Sequence, residues 1–72
     1  MFNTYKILTN EIHDNFNVNI SLCKIIGRRW SFVYEAGNFT YGNNHIIIDE
    51  NYGLIVECSS DISDKIKEYI SK

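Results

Sequence analysis

Asn10-Glu11-Ile12-His13-Asp14-Asn15-Phe16-Asn17-Val18-Asn19-Ile20-Ser21-Leu22-Cys23-Lys24-Ile25-Ile26-Gly27 is the stretch on which the fold turns, because it can be read in two ways. Val18, Ile20 and Leu22 alternate with polar neighbours, as along a strand. Ile12, Phe16, Ile20, Cys23 and Ile26 fall instead at helical spacing. The Asn-rich run from Asn15 to Asn19 argues against one continuous helix, since Asn prefers caps and turns. Residues 10–27 are therefore either a strand or a helix-turn-helix-like pair.

In the two-helix reading, Thr9 or Asn10 caps a first helix that ends at Phe16. Asn17 makes the turn, where a residue tolerant of the left-handed conformation is wanted. Asn19 caps a second helix through Ile26, and Gly27 ends it. Ile12, Phe16, Val18, Cys23 and Ile26 would pack inward. Asn19, Ser21, Lys24 and Arg28 would face outward, where short polar and basic side chains reach base edges and phosphates. Against it, His13 stands where a small residue is usual, and Ile20 and Ile25 would be exposed. The tip Glu50-Asn51-Tyr52 would also make an acidic wing.

Downstream the signals are plainer. Arg29 to Glu35 reads as a strand in which Trp30, Phe32 and Tyr34 alternate with Ser31, Val33 and Glu35, and those three aromatics are expected to share a core face. Residues 45–49 and 54–58 are β-branched runs joined by Glu50-Asn51-Tyr52-Gly53, which is turn chemistry. Ala36-Gly37-Asn38 and Gly42-Asn43-Asn44 punctuate a short piece at Phe39-Thr40-Tyr41. The C-terminal element is a helix over 60–71: Ile62, Ile66, Tyr69 and Ile70 form one apolar face, with Asp61 and Asp64 in the first turn. Upstream, Phe2, Tyr5 and Ile7 are expected in a further strand over 2–9. The fold class is α+β: one small domain, residues 1–72, with an antiparallel sheet of three to five strands and the C-terminal helix packed on one face.

Seventy-two residues allow folding to bury only roughly 60% of the chain's surface, so bulky side chains must fill a thin core. Net charge is −2 and the pI about 5.5, which gives no general attraction to nucleic acid. The charge is uneven, and Lys24, Arg28 and Arg29 lie within six positions. Two cysteines, Cys23 and Cys58, are too few for a disulfide framework and fit reduced thiols in a cytoplasmic protein. No leader-like start and no apolar run long enough for a bilayer is present, so no membrane partner is expected. Heavy use of Asn and Ile without Pro fits an AT-rich genome, as in a low-GC bacterium or its phages.

Chemistry-bearing motifs are absent. His13, His45, Cys23 and Cys58 match no zinc spacing, Asp49 and Glu50 no calcium loop, and the four glycines no phosphate-binding loop. Neither a metal nor a cofactor nor catalysis is expected. The expected function is a small regulatory or binding protein contacting nucleic acid through the basic segment 24–29, with Asn19, Ser21, Lys24, Arg28 and Arg29 as candidates. The alternative is a protein-interaction module (inhibitor, adaptor, subunit or homodimer) using an aromatic-rich sheet surface, with Trp30, Tyr34, Tyr41 and Tyr52 as candidates.

Overall fold

The computed structural model describes residues 2–71. Six elements run in order: α1 (Phe2–Phe16), β1 (Asn19–Ile26), β2 (Arg29–Ala36), β3 (Asn44–Ile47), β4 (Tyr52–Glu57) and α2 (Ser60–Ser71). The strands form one antiparallel sheet in the order β2-β1-β4-β3. The architecture is α+β, with the C-terminal helix where the sequence places it.

Residues 2–9 are helical, not extended. Tyr5, Leu8, Ile12 and Phe16 recur at three- and four-residue steps and turn toward the core, while Ile7 lies on the exposed side. Thr9 is buried within the helix, where its hydroxyl donates to the Tyr5 carbonyl at 2.7 Å. Asn17, at φ 53°, ends α1 in the left-handed conformation expected of it. His13 Nδ1 then donates to the Val18 carbonyl at 2.7 Å and pins the chain as it leaves the helix.

Residues 19–26 are a strand, so the helix-turn-helix reading fails and no recognition helix carries Asn19, Ser21, Lys24 and Arg28. β1 lies between β2 and β4, and both of its faces are covered over Ile20 to Cys23. A strand buried on both sides shows no polar face, so its apolar residues also fit a helical period. Backbone pairing to two neighbours decides in favour of the strand. The β1–β2 connection is a two-residue turn. Gly27 takes φ 62° at its first position while Arg28 stays at negative φ, the signature of a II′ turn, which matches strand twist.

The core lies on one side of the sheet. Ile20, Leu22, Leu54, Val56 and Ile46 meet Ile12 from α1 and Ile66 from α2. Phe16 and Tyr69 join the two helices edge to face, 5.8 Å between centroids. At one end Tyr5 stacks on Tyr52 at 4.1 Å and donates its hydroxyl to Asp49. Asp49 also accepts from the Asn51 and Tyr52 amides at 2.8 and 2.9 Å, which closes the β3–β4 turn. No helix among the described residues is long and apolar enough to cross a membrane.

Both helices cover the same face, which leaves the other without a layer. β2 and β3 are the two edge strands, so residues 37–43 must cross β1 and β4 to join them. Asn side chains hold this crossing: Asn19 Oδ1 accepts from the Asn38 amide at 3.2 Å, and Asn43 Oδ1 from the Cys58 amide at 3.2 Å.

Candidate functional site

The helix-free face carries the site, and a bulge in β2 decides which of that strand's aromatics it holds. Leu22 pairs with Tyr34 but Cys23 pairs with Phe32, which leaves Val33 as an extra residue. The extra residue reverses the alternation. Tyr34 turns to the helix side, where its hydroxyl donates to Asn10 Oδ1 at 2.9 Å and its ring lies 5.1 Å from Lys6 Nζ. Trp30 and Phe32 turn the other way. Trp30, Phe32 and Tyr34 therefore do not share one core face, and Phe32 is 63% exposed.

Trp30 lies across the sheet from β2 to β4. A Cβ on Gly53 would come within 2.5 Å of its Cη2 atom, so the missing side chain at 53 is what lets the indole lie flat. The far edge of the ring meets His45 at 5.3 Å between centroids, near perpendicular. Beneath these groups Ser21, Cys23 and Ile55 are buried. Phe39 sits 6.0 Å from Phe32, and Gly42 rests on Ile55. Two clefts flank Phe39. The larger, about 390 Å³, opens at the β2 bulge between Phe32, Val33, Glu35 and Thr40, with Ser21 at its floor. The smaller, about 240 Å³, lies between Tyr41, His45 and Ile55. Around them stand Tyr41 at 74% and Ile47 at 68% exposure.

The interface candidates thus divide. Trp30 and Tyr41 belong to this face. Tyr34 and Tyr52 are in the seam between the helices and the sheet. Phe32, Phe39, His45 and Ile47 belong to the face as well, although sequence reasoning placed Phe32 in the core and assigned none of the four to an interface. The bulky Phe39 and Tyr41 in a seven-residue connection were the available signal, since such side chains need a surface to rest on.

The nucleic-acid candidates divide too. Lys24, Arg28 and Arg29 are exposed at the β1–β2 hairpin end. Asn19 and Ser21 lie at the opposite end of β1, several residues and roughly 10–17 Å from Lys24. Ser21 is 1% exposed, and the half-buried Asn19 side chain hydrogen-bonds to Glu57 and to the Asn38 amide.

Both cysteines are free. Burial pushes the Cys23 thiol up, against a smaller opposing effect of the Ser21 hydroxyl; burial does the same to Cys58, against its contact with Asn44. Both are held protonated and are weak nucleophiles. Among the described residues no three of His, Cys, Asp and Glu come together as metal ligands.

Comparison with protein-family models, with curated proteins and with solved structures returns no match, so the function is argued from this face alone.

Proposed function

We propose that the chain is a non-catalytic protein-interaction module that binds through the helix-free face of its sheet. One observation carries the reading. Phe32, Tyr41 and Ile47 stay largely exposed around a half-covered apolar floor. At roughly 200 Å² per aromatic side chain, Phe32 and Tyr41 alone leave roughly 270 Å² in water. The larger exposed apolar patches of a small protein are often functional, and aromatics are enriched at the centres of interfaces. The protein acts in a reducing compartment such as the cytoplasm, where its two thiols remain free. The test places a photo-crosslinking phenylalanine analogue at 32 or 41, and at Glu68 on α2 as a control. A discrete protein adduct from 32 and 41 alone is expected. Adducts from 68 as readily as from 32, or from none of the three, would overturn the reading.

A second reading rests on Arg28 and Arg29 standing exposed at the hairpin end of β2, next to Trp30. Single-stranded nucleic acid binds through aromatic stacking and backbone cations in this manner. Titration of a short oligothymidylate, followed by Trp30 emission, tests it. Quenching that weakens steeply with salt and is lost on Arg28→Glu supports it. Flat emission at low salt removes it.

A further inference from the structure

We infer that the partner of the helix-free face sets an arginine side chain in the cleft at the β2 bulge, against Phe32 and Phe39 and beside the carboxylate of Glu35; the inference rests on the reading of that face as a docking surface. The bulge itself makes the combination. In a regular strand, residues three apart point to opposite faces, so an acid at 35 would leave the face that holds an aromatic at 32. Here Phe32 pairs with Cys23 and Glu35 with Ser21, which are two residues apart on β1, and the extra Val33 brings both side chains to the same side. Both line the cleft of about 390 Å³, to which the crossing adds Phe39 and Thr40. Phe39 lies 6.0 Å from Phe32 between centroids, so two aromatic rings and one acid share the cleft. β2 is an edge strand, which puts the cleft at the rim of the sheet, where a partner can reach it.

Charge selects the occupant. Glu35 is exposed, and no cation or hydrogen-bond donor among the described residues engages its carboxylate. Glu57, opposite Asn19 on β4, adds a second negative charge at the same end of the face. The crossing over 37–43 carries no charged residue. Lys24, Arg28 and Arg29 are at the hairpin end, and Lys6 is held on the helix side against Tyr34. A partner that covers Phe32 covers Glu35 with it, because the two share one cleft. An apolar partner would strand an unpaired carboxylate away from water, which is costly. A guanidinium answers both parts of the cleft: it lies flat on an aromatic ring and bonds a carboxylate through two N–H donors. Lysine brings a point charge without that planar match.

Titration of the full chain with acetyl-Leu-Arg-Leu-amide, and with its uncharged citrulline counterpart, tests the inference by amide NMR at low salt, up to about 10 mM peptide. The arginine peptide is expected to shift Phe32, Val33, Glu35 and Thr40, and to bind about fivefold or more tighter than the citrulline peptide. Glu35→Gln should remove that preference, and Glu68→Gln on α2 should leave it. Circular dichroism confirms that each variant is folded. Equal binding of the two peptides, no shift at these residues, or a preference that survives Glu35→Gln overturns the inference. The docking reading itself fails separately, when crosslinkers at 32 and 41 capture nothing. An adduct whose partner segment holds no arginine leaves that reading standing and removes this inference.

Discussion

Gly53→Ala tests how the helix-free face is built. The added Cβ would lie 2.5 and 2.6 Å from Trp30 Cη2 and Cζ3, and 3.2 Å from the Ile46 carbonyl oxygen. The backbone of two paired strands cannot give way, so the indole must lift. Trp30 is partly buried, and an indole of its size hides on the order of 130 Å² in such a position. At about 25 cal/mol/Å², full displacement costs about 3 kcal/mol, and partial re-covering over Ile25 reduces this to about 2. For a domain of this length that is a fall in Tm of about 8–16 °C. The chain has a single tryptophan, so emission reports its environment without ambiguity. Urea unfolding monitored by emission and by circular dichroism should show a red-shifted native spectrum and a lower midpoint. Trp30→Ala supplies the control: in that background Gly53→Ala should be neutral or stabilising by up to about 1 kcal/mol, as Gly→Ala in a strand usually is. If Gly53→Ala cost the same with and without Trp30, the indole would not lie on Gly53 and the description of the face would be wrong.

Further outcomes concern the opposite end and the thiols. The Tyr5 hydroxyl, and then the two turn amides, hold the Asp49 carboxyl below the usual carboxylate range, while the same hydrogen bond raises Tyr5. The Asp49 contribution is present above the unfolded value of about 4 and is lost as pH falls through the lower folded value. The Tyr5 contribution is present below about 10 and is lost as pH rises through the higher folded value. The stability difference between wild type and Tyr5→Phe, measured by urea unfolding, should therefore be level from about pH 5 to 9 and shrink on both sides; a difference independent of pH would break the link. Under native conditions iodoacetamide should label the part-exposed Cys58 before the buried Cys23, both more slowly than a free thiol; equal rates would contradict the burial. Ile12→Ala, at a fully buried position where both helices meet the sheet, should cost about 2–5 kcal/mol in the same unfolding assay; a loss below about 1 would contradict the core described.

Much of the second half was legible in residues 29–71. Strand β2, the β3–β4 hairpin and α2 lie close to where alternation, turn chemistry and helical spacing put them. The first half was harder. α1 has few strong helix formers and begins with Phe2, Asn3, Thr4 and Tyr5, and its stability comes from Tyr5, Leu8 and Ile12 packing on strands far along the chain. β1 hid its period because Ser21 and Cys23 are buried as fully as Ile20 and Leu22. The Gly27-Arg28 pair between two apolar runs was a hairpin signal, and the competing reading of Gly27 as a helix end obscured it. The bulge at Val33 has no local signature, yet it moves Tyr34 off the face and leaves Phe32 and Trp30 on it. The bulge accounts for Tyr34 alone; Tyr52 is held on the helix side by stacking on Tyr5.

The measurement that bears most directly on the central claim is the crosslinking comparison between positions 32 and 41 on the helix-free face and position 68 on α2. A discrete protein adduct from 32 and 41 alone is the predicted result. Adducts from 68 as readily as from 32, or from none of the three, would contradict the assignment of the helix-free face as the docking surface.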